Sequence, residues 1–179
     1  MLEIEKKYQI PAVALLDLRS HLVALYGEPK ALREEDFHGF TNGEGNYLRL
    51  RRSGAKVLLI AKGPTTLSAD GIRSRQEVEV GLAPEVFDQA RTLVQLLCTE
   101  KLPAVQRERL VWNIPEGGEV VMDFLDALPA EVFVEVEVLG TDQPAALEKL
   151  RHLELVLGLN PEWQETRSYA RILQDLGLT

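Results

Sequence analysis

The sequence has 179 residues, of which 45% are hydrophobic and 27% charged, and this composition predicts one globular domain, 1–179, with a sizeable core. A net charge of −8 argues against a protein whose main task is to grip nucleic-acid phosphates, since such a protein needs a basic face. No stretch approaches the roughly 20 apolar residues of a membrane span, and Cys98 is the only cysteine, so we expect a cytoplasmic protein in which Cys98 is a buried apolar residue. The histidines, His21, His38 and His152, lack metal-ligand spacing and are predicted to be solvated or core residues.

Hydrophobic periodicity predicts eight strands and at least three amphipathic helices. Residues 2–8 alternate between apolar and charged or polar side chains, as in a strand, and a helix then begins at Pro11 and ends at Gly27. Further strands are predicted over 33–40, 46–52, 56–62, 73–80, 104–114, 119–125 and 131–139, with a turn at Glu116-Gly117-Gly118, and further helices over 84–98, 143–158 and 164–176. Most connections between strands are too short for crossover helices, so the fold class is α+β with a mainly antiparallel sheet.

Charged residues fall on one face of most predicted strands. In residues 132–138, four valines take one face, and Glu135 and Glu137 take the other. This sorting, with Lys62 and Asp123 added near strand ends, selects the acids Glu3, Glu5, Glu77, Glu79, Asp123, Glu135 and Glu137 and the bases Lys7, Arg49, Arg51, Lys62, Arg75, Arg107 and Arg109. On a single strand, a solvated face of mixed charges explains the pattern better than a binding site does. Repetition on most strands, with helices that need an apolar surface to cover, favours a closed eight-stranded antiparallel β-barrel whose lumen is charged and whose helices pack outside.

The chemistry of these side chains predicts two kinds of ligand in the lumen. Carboxylate oxygens without nearby His or Cys suit a hard cation such as Mg²⁺ or Mn²⁺. Converging Lys and Arg side chains suit a polyanion, and guanidinium groups match phosphate oxygens well. A triphosphate satisfies both conditions, because it binds the basic side chains and also bridges to the metal ion.

The order of short motifs along the chain resembles that of the CYTH superfamily, also called the triphosphate tunnel metalloenzymes. The motifs are Glu3-Ile4-Glu5-Lys6-Lys7 (similar to ExExK), Leu48-Arg49-Leu50-Arg51 (LRLR), Ala61-Lys62-Gly63-Pro64 (KGP), Arg75-Gln76-Glu77-Val78-Glu79 (RxExE), Arg107-Glu108-Arg109 (KxR with Arg first), Asp123, Phe133-Val134-Glu135-Val136-Glu137 (FxExE) and Arg167-Ser168-Tyr169 (RSY). The resemblance covers essentially the whole chain. It implies a single triphosphate tunnel domain with an activity among those of class IV adenylyl cyclases, thiamine triphosphatases and inorganic triphosphatases.

The resemblance also implies roles for individual residues. Metal ions, one or two Mg²⁺ or Mn²⁺, would be held by Glu3, Glu5, Glu135 and Glu137, with Glu77, Glu79 and Asp123 completing or orienting the sites. Phosphate oxygens would be bound by Lys7, Arg49, Arg51, Lys62, Arg75, Arg107 and Arg109, and catalysis would depend on Lys7 and Glu5. For each residue the alternative is a salt bridge inside the lumen that serves stability alone.

One stretch departs from the family pattern. Family members usually carry a tyrosine before LRLR, whereas this chain has Asp36-Phe37-His38-Gly39-Phe40, so a Lys–Tyr pair and the family's second aspartate are expected to be missing. Tyr47, on the same strand face as Arg49, is either a substitute or a plain strand aromatic. Three functions stay open: a triphosphatase acting on tripolyphosphate, a nucleoside triphosphate such as ATP, or thiamine triphosphate; a class IV adenylyl cyclase; and a non-catalytic module that binds polyphosphate or a nucleotide. The sequence is silent on oligomeric state, and a homodimer stays open.

Overall fold

The computed structural model describes residues 2–41, 45–64, 66–67, 73–115, 117–140 and 142–178. The strands within these ranges are β1 (Leu2–Ile10), β2 (Lys30–Phe40), β3 (Tyr47–Ser53), β4 (Lys56–Lys62), β5 (Thr66–Leu67), β6 (Arg73–Leu82), β7 (Glu100–Lys101), β8 (Val105–Asn113), β9 (Gly118–Leu125) and β10 (Val132–Gly140). The helices are α1 (Ala12–Tyr26), α2 (Phe87–Leu97), α3 (Gln143–Leu157) and α4 (Tyr169–Asp175), with short 3₁₀ turns at Pro84–Val86 and Pro161–Trp163. None of these helices is long and apolar enough to cross a membrane.

Eight strands form one curled antiparallel sheet in the order β1-β10-β9-β8-β2-β3-β4-β6. β6 also pairs with β1, between Arg73–Gln76 and Leu2–Glu5, which joins the two ends of this order. The predicted α+β architecture with an antiparallel eight-stranded sheet is therefore confirmed. The short strands β5 and β7 add to β6 and β2, and the sequence did not predict them because two residues carry no measurable periodicity.

The register of the sheet aligns the charged residues of neighbouring strands. Lys7 lies opposite Glu135, and Arg109 lies opposite Asp123. Because directly opposed residues of paired strands project to the same side of a sheet, the charged faces predicted separately for each strand become one continuous concave surface.

The helices cover the opposite, apolar face of the sheet. Val134 and Val136 of β10 belong to a buried cluster with Leu150 of α3 and Leu22 of α1. Elsewhere on the same outer face, α2 packs against β2 and β3, where Cys98 is buried with Leu50 and Val94. Both the external placement of the helices and the burial of Cys98 agree with the sequence-based prediction.

The outward positions of β1 also contain a buried polar contact. Lys6 and Tyr8 face α3, and the Lys6 ammonium lies 2.6 Å from the Glu154 carboxylate, to which the Tyr8 hydroxyl also donates. Burial, followed by the contact with Glu154, raises the pKa of Tyr8 far above its usual value, so the phenol stays protonated. Of the two adjacent lysines, Lys6 therefore attaches α3 to the barrel and Lys7 faces the lumen.

The helix predicted over 164–176 is wrong in its first part. Gln164 forms a β-bridge with Tyr8, and the Glu165 amide donates to the Lys7 carbonyl at 2.9 Å, so this backbone is engaged by β1 and remains extended. Helix α4 begins only at Tyr169, with the Ser168 hydroxyl as its N-cap. Periodicity did not reveal this boundary because the competing partner is a distant strand.

Helix α4 covers one end of the lumen. Its buried residues form a cluster with lumen-facing apolar side chains, and this cluster comprises Val105, Leu125, Phe133, Tyr169, Ala170, Ile172 and Leu173. We call this end of the barrel the α4 end.

Candidate active site in the barrel lumen

A cavity of about 260 Å³ lies within the curled sheet. It brings together most residues that the sequence predicted for the site, namely Glu5, Lys7, Arg49, Arg51, Lys62, Glu77, Glu79, Arg107, Arg109, Glu135 and Glu137. Asp123 lies directly behind this lining and is 0% exposed. The side chains of Glu3 and Arg75, together with Glu116 of the predicted turn, lie outside the described part of the structure.

The α4 end of the lumen contains a set of mutually paired charges, which we call the ionic network and which comprises Glu34, Asp36, Arg51, Arg107, Arg109 and Asp123. Arg51 donates to both carboxylate oxygens of Asp36, at 2.8 and 2.9 Å. Arg109 binds Asp123 in the same two-point manner, at 2.7 and 2.6 Å. Arg107 donates to Glu34 at 2.5 Å. Planar guanidinium groups favour such two-point contacts with carboxylates, which fix both partners in orientation.

The network favours the charged forms of Asp36 and Arg109 despite their burial. Burial opposes the ionisation of Asp36, but Arg51, Arg107 and Arg49 outweigh it and hold the pKa of Asp36 well below its usual range. Burial likewise disfavours the charged form of Arg109, yet Asp123 and Glu135 raise its pKa well above the usual value. Asp36 and Arg109 therefore keep their charges, and oppositely charged neighbours compensate each of them.

Lys7 and Tyr169 meet between the network and α4. The Lys7 ammonium donates to the Arg167 carbonyl at 2.8 Å, lies 3.4 Å from Glu135, and stands 4.0 Å from the centroid of the Tyr169 ring. The Tyr169 hydroxyl donates to Asp123 at 2.8 Å, and burial followed by Asp123 raises its pKa well above the usual value. The sequence predicted that a Lys–Tyr pair is missing. The structure instead places a tyrosine from α4 beside Lys7, although its hydroxyl is engaged by Asp123.

A second group of acids lies across three neighbouring strands. Glu5 of β1 is directly opposite Glu137 of β10, which is directly opposite Glu119 of β9. All three line the cavity, and we call them the carboxylate row. Gly118 permits this close pairing of β9 with β10, because a Cβ on it would lie 2.5 Å from the Glu137 carbonyl oxygen.

The carboxylate row differs from the network in its electrostatics. No ion pair of the described residues involves Glu119 or Glu137. Burial, followed by repulsion from Glu5, Glu135 and Glu119, raises the pKa of Glu137 to about 7. Glu135, one position along the lumen, shows the opposite behaviour, because Lys7 and Arg109 outweigh its burial and lower its pKa.

Arg49, Lys62 and Glu77 form the remaining charged wall. The Lys62 ammonium forms an ion pair with Glu77, and Arg49 lies 3.7 Å from Glu77 and 3.8 Å from Asp36. Tyr47 lies opposite Lys62 in the sheet, and its ring packs against His38 and Phe40 at centroid distances of 5.5 and 5.4 Å. Glu79 lines the cavity but is largely exposed.

Sequence reasoning missed several residues of the lumen. Glu34, Asp36 and His38 alternate along β2, and Glu119 shares its strand face with Asp123, so the same parity sorting could have found all four. Asp36 was given no role by the sequence, yet it lies at the centre of the network, and the absence of the family's second aspartate from this stretch stays a prediction. Tyr169 carried no such signal, since its place depends on how α4 crosses the end of the barrel.

His38 was predicted to lie outside any site, yet it is buried and lines the lumen. Its Nε2 lies 2.7 Å from the Pro103 carbonyl oxygen. Because a carbonyl oxygen can only accept, Nε2 carries the proton and Nδ1 is the acceptor. Burial lowers the pKa of His38 to about 4, so the imidazole is neutral at physiological pH.

The donor set of the lumen fits a hard divalent cation by its chemistry. As placed, no three His, Cys, Asp or Glu side chains within the described ranges form a group that could hold a metal ion. The carboxylate row nevertheless presents oxygen donors alone, at directly opposed strand positions, and two of its members, Glu119 and Glu137, form no ion pair with any described residue. Mg²⁺ and Mn²⁺ prefer such donors.

Comparison with known proteins identifies the family. Residues 1–169 match the CYTH domain family. No curated protein gave a significant match to the sequence. Similar solved structures include the PH1819 protein from Pyrococcus horikoshii OT3, with 22% identity, a TM-score of 0.76, and coverage of 97% of this chain and 99% of that chain. A candidate adenylate cyclase from Vibrio parahaemolyticus shares 22% identity with a TM-score of 0.71, covering 97% of this chain and 98% of that one.

A third similar structure is HpAC1 from Hippeastrum, assigned as an adenylyl cyclase and described as having a dominant triphosphatase activity. It has 18% identity and a TM-score of 0.66, and the match covers 99% of this chain and 97% of that chain. At these identities the neighbours establish a shared fold. The match over 1–169, together with the charged lumen, shows that the chain belongs to the CYTH domain family.

Proposed function

We propose that this protein is a divalent-metal-dependent triphosphatase that binds its substrate's phosphate chain in the barrel lumen. The observation that carries the proposal is the division of one cavity into two halves. One half presents oriented guanidinium groups, and the other presents Glu5, Glu119 and Glu137. A phosphate chain with a bound cation complements both halves, whereas a plain anion or a metal ion alone would complement only one.

The guanidinium groups of the network would bind phosphate oxygens while they keep their hydrogen bonds to the acids of the network. Arg109 uses Nε and Nη2 for Asp123 and Nη2 again for Glu135. No hydrogen bond from Nη1 of Arg109 is formed within the described residues, so this group can donate to a substrate oxygen. Arg49 and Lys62 on the opposite wall would hold the other side of the chain, with Arg51 and Arg107 completing the basic lining. Because these donors are oriented before the substrate binds, little reorganisation is needed when charge develops during reaction.

The carboxylate row would hold a Mg²⁺ or Mn²⁺ ion, with Glu3 and Glu135 as further donors by analogy with the family motifs. When bound, the ion would neutralise phosphate oxygens and assist phosphoryl transfer. The proposal assigns Glu5 to this cation and Lys7 to the phosphate group that leaves the chain. Glu77, Glu79 and Asp123 would orient the site, since Glu77 is engaged by Lys62 and Asp123 by Arg109.

The reaction would be hydrolysis of a phosphoanhydride bond. Water attacks the terminal phosphorus, the bond to the bridging oxygen breaks, and orthophosphate leaves together with the shortened chain. Tripolyphosphate, a nucleoside triphosphate such as ATP, and thiamine triphosphate all present this bond. The triphosphatase activity described for HpAC1 supports this reaction class.

A class IV adenylyl cyclase is the second candidate. Its supporting observation is the segment Arg167-Ser168-Tyr169, which resembles that of cyclase-like members and places Ser168 and Tyr169 in the cavity wall. In that reaction the ribose 3′-hydroxyl of ATP attacks the α-phosphorus, so that cyclic AMP and pyrophosphate are formed. The same arrangement of cations and carboxylates serves both reactions.

Product analysis separates these functions. The purified protein, tagged at its C-terminus, is incubated with tripolyphosphate, ATP or thiamine triphosphate in Mg²⁺, Mn²⁺ or EDTA, and the products are resolved by chromatography. We expect orthophosphate release that is lost in EDTA and in Glu5→Gln. Glu108→Gln is the matched control, because Glu108 is exposed on the outer face of β8.

Other outcomes would redirect or reject the proposal. Cyclic AMP with pyrophosphate would establish the cyclase. Metal-dependent binding of tripolyphosphate without turnover would establish a binding module. Neither turnover nor binding would reject the lumen as a triphosphate site.

A further inference from the structure

A second cavity, of about 460 Å³, lies on the outside of the barrel between α2, β2 and the chain segment that follows α4. Its walls are mainly apolar and include Phe37, Val94, Cys98, Leu102, Pro103 and Leu178. Cavities of this size and character are typical sites for small organic molecules, for which pockets of about 300–1,000 Å³ are usual. The proposed triphosphatase reaction makes no use of this cavity.

The charged residues that line this second cavity favour a negatively charged ligand. Arg91 and Lys101 are its charged lining residues, and no carboxylate lines it within the described part of the chain. This is unusual for a protein with a net charge of −8, whose surface is otherwise rich in acids. The Arg91 guanidinium lies 4.3 Å from the centroid of the Phe37 ring, so cationic and aromatic surfaces adjoin in the wall.

Strand β2 separates the second cavity from the lumen. Gly39 of β2 packs against the segment that follows α2, so closely that a Cβ on Gly39 would lie 2.4 Å from the Glu100 carbonyl oxygen. His38 contributes to the walls of both cavities, and its Nε2 donates to Pro103 of the second one. Nδ1 of His38 is buried and has no hydrogen-bond partner among the described residues. The two cavities are thus distinct spaces with one shared side chain.

We propose that the second cavity binds a small aromatic anion, with an apolar body of one or two rings and a single carboxylate or sulfonate group. The rings would occupy the apolar walls beside Phe37 and Val94, and the anionic group would pair with Arg91 and Lys101. A triphosphate is a poor occupant, because an apolar wall cannot replace the hydration of its oxygens. This site is independent of the lumen chemistry.

The probe for this proposal is 8-anilinonaphthalene-1-sulfonate, an aromatic anion whose fluorescence rises in apolar surroundings. Titration into the folded full-length protein is expected to give saturable binding at one site per chain. Arg91→Glu should weaken binding by about fivefold or more, since it replaces attraction by repulsion. Gln95→Glu, which places a carboxylate in the same wall, should act in the same direction, and Ala104→Phe should abolish binding by filling the cavity.

The controls locate the bound probe. Arg19→Glu makes the same charge change on the exposed face of α1 and should bind like the original protein. Saturating tripolyphosphate should not displace the probe, because it is expected in the lumen. Near-ultraviolet circular dichroism confirms that each variant is folded, and Gln95→Glu provides the test if Arg91→Glu is not. Equal binding by Gln95→Glu and the original protein, displacement by tripolyphosphate, or absence of saturable binding would each overturn the proposal.

Discussion

The ionic network and the carboxylate row lie in the same lumen, yet they satisfy their charges in opposite ways. In the network, Asp36 and Asp123 each receive two hydrogen bonds from one guanidinium group. In the row, Glu5, Glu137 and Glu119 lie side by side, and no described ion pair includes the last two. Among the described residues, the acids of the network are paired with guanidinium groups, whereas Glu119 and Glu137 have no ion-pair partner.

This difference separates a part of the lumen in which acids and bases are paired from a part in which three acids adjoin one another. Buried charges are tolerated when a partner compensates their loss of hydration, as in the network. Repulsion between neighbouring carboxylates favours the uptake of a proton or the binding of a cation. In the row, burial and repulsion from Glu5, Glu135 and Glu119 raise the pKa of Glu137 to about 7, so this carboxyl group keeps its proton up to about neutral pH.

The largest effect is expected from breaking the network at Asp123. Asp123→Asn removes the charge that Arg109 and Arg107 face at a fully buried position, and it should lower the free energy of unfolding by about 3–5 kcal/mol. Urea denaturation measures this. Asp126→Asn is the control, because it breaks the exposed pair with Arg33 and should cost no more than about 1 kcal/mol. Equal costs would show that the network is not structural.

In the carboxylate row, removing a charge should increase stability, whereas in the network it decreases stability. The pKa of Glu137 is about 7 in the folded protein against an ordinary value of 4.5, so the folded state holds its proton more tightly than the unfolded chain does. Stability therefore falls as the pH rises from about 4.5 through 7. In EDTA, Glu137→Gln should raise the free energy of unfolding by about 3 kcal/mol at pH 8 and leave it unchanged at pH 4. Denaturation curves at the two pH values check this, and a gain that does not depend on pH would contradict it.

A smaller effect is expected where α4 joins the network. Tyr169→Phe removes one hydrogen bond to the buried Asp123 carboxylate, and the expected loss is about 2 kcal/mol. The double variant Tyr169→Phe/Asp123→Asn should lose less unfolding free energy than the sum of the two single losses, because both substitutions remove the same contact. Full additivity, measured by urea denaturation, would place the effect of Tyr169 elsewhere.

The smallest expected effect tests whether Glu119 belongs to the carboxylate row. Glu119→Gln should weaken Mn²⁺ binding by about tenfold in isothermal titration calorimetry without substrate, because one oxygen donor loses its charge. Glu108→Gln, on the outer face of the neighbouring strand, should leave the affinity unchanged. If Glu119→Gln binds Mn²⁺ as tightly as this control, the row is limited to Glu5 and Glu137.

The sequence predicted much of the candidate site because the alternation of a strand is a local property. Parity alone placed Arg49, Arg109 and Glu137 on a common charged face, and the register confirms their shared orientation. The same rule could have found Asp36 and Glu119. It could not reveal that Glu135 is compensated by Lys7 while Glu137 is not, since this depends on distances between strands that are far apart in the chain.

The sequence by itself determined the α+β class, the antiparallel sheet, the charged inner face and the family motifs, since each follows from short-range periodicity or from a contiguous string of residues. Only the tertiary structure decided which charges are paired, where α4 begins and which tyrosine reaches Lys7. These features depend on the register between distant strands and on backbone groups of 164–168 that β1 engages. The second cavity was likewise decided only by the tertiary structure, because α2, β2 and the segment after α4 meet only in the folded chain.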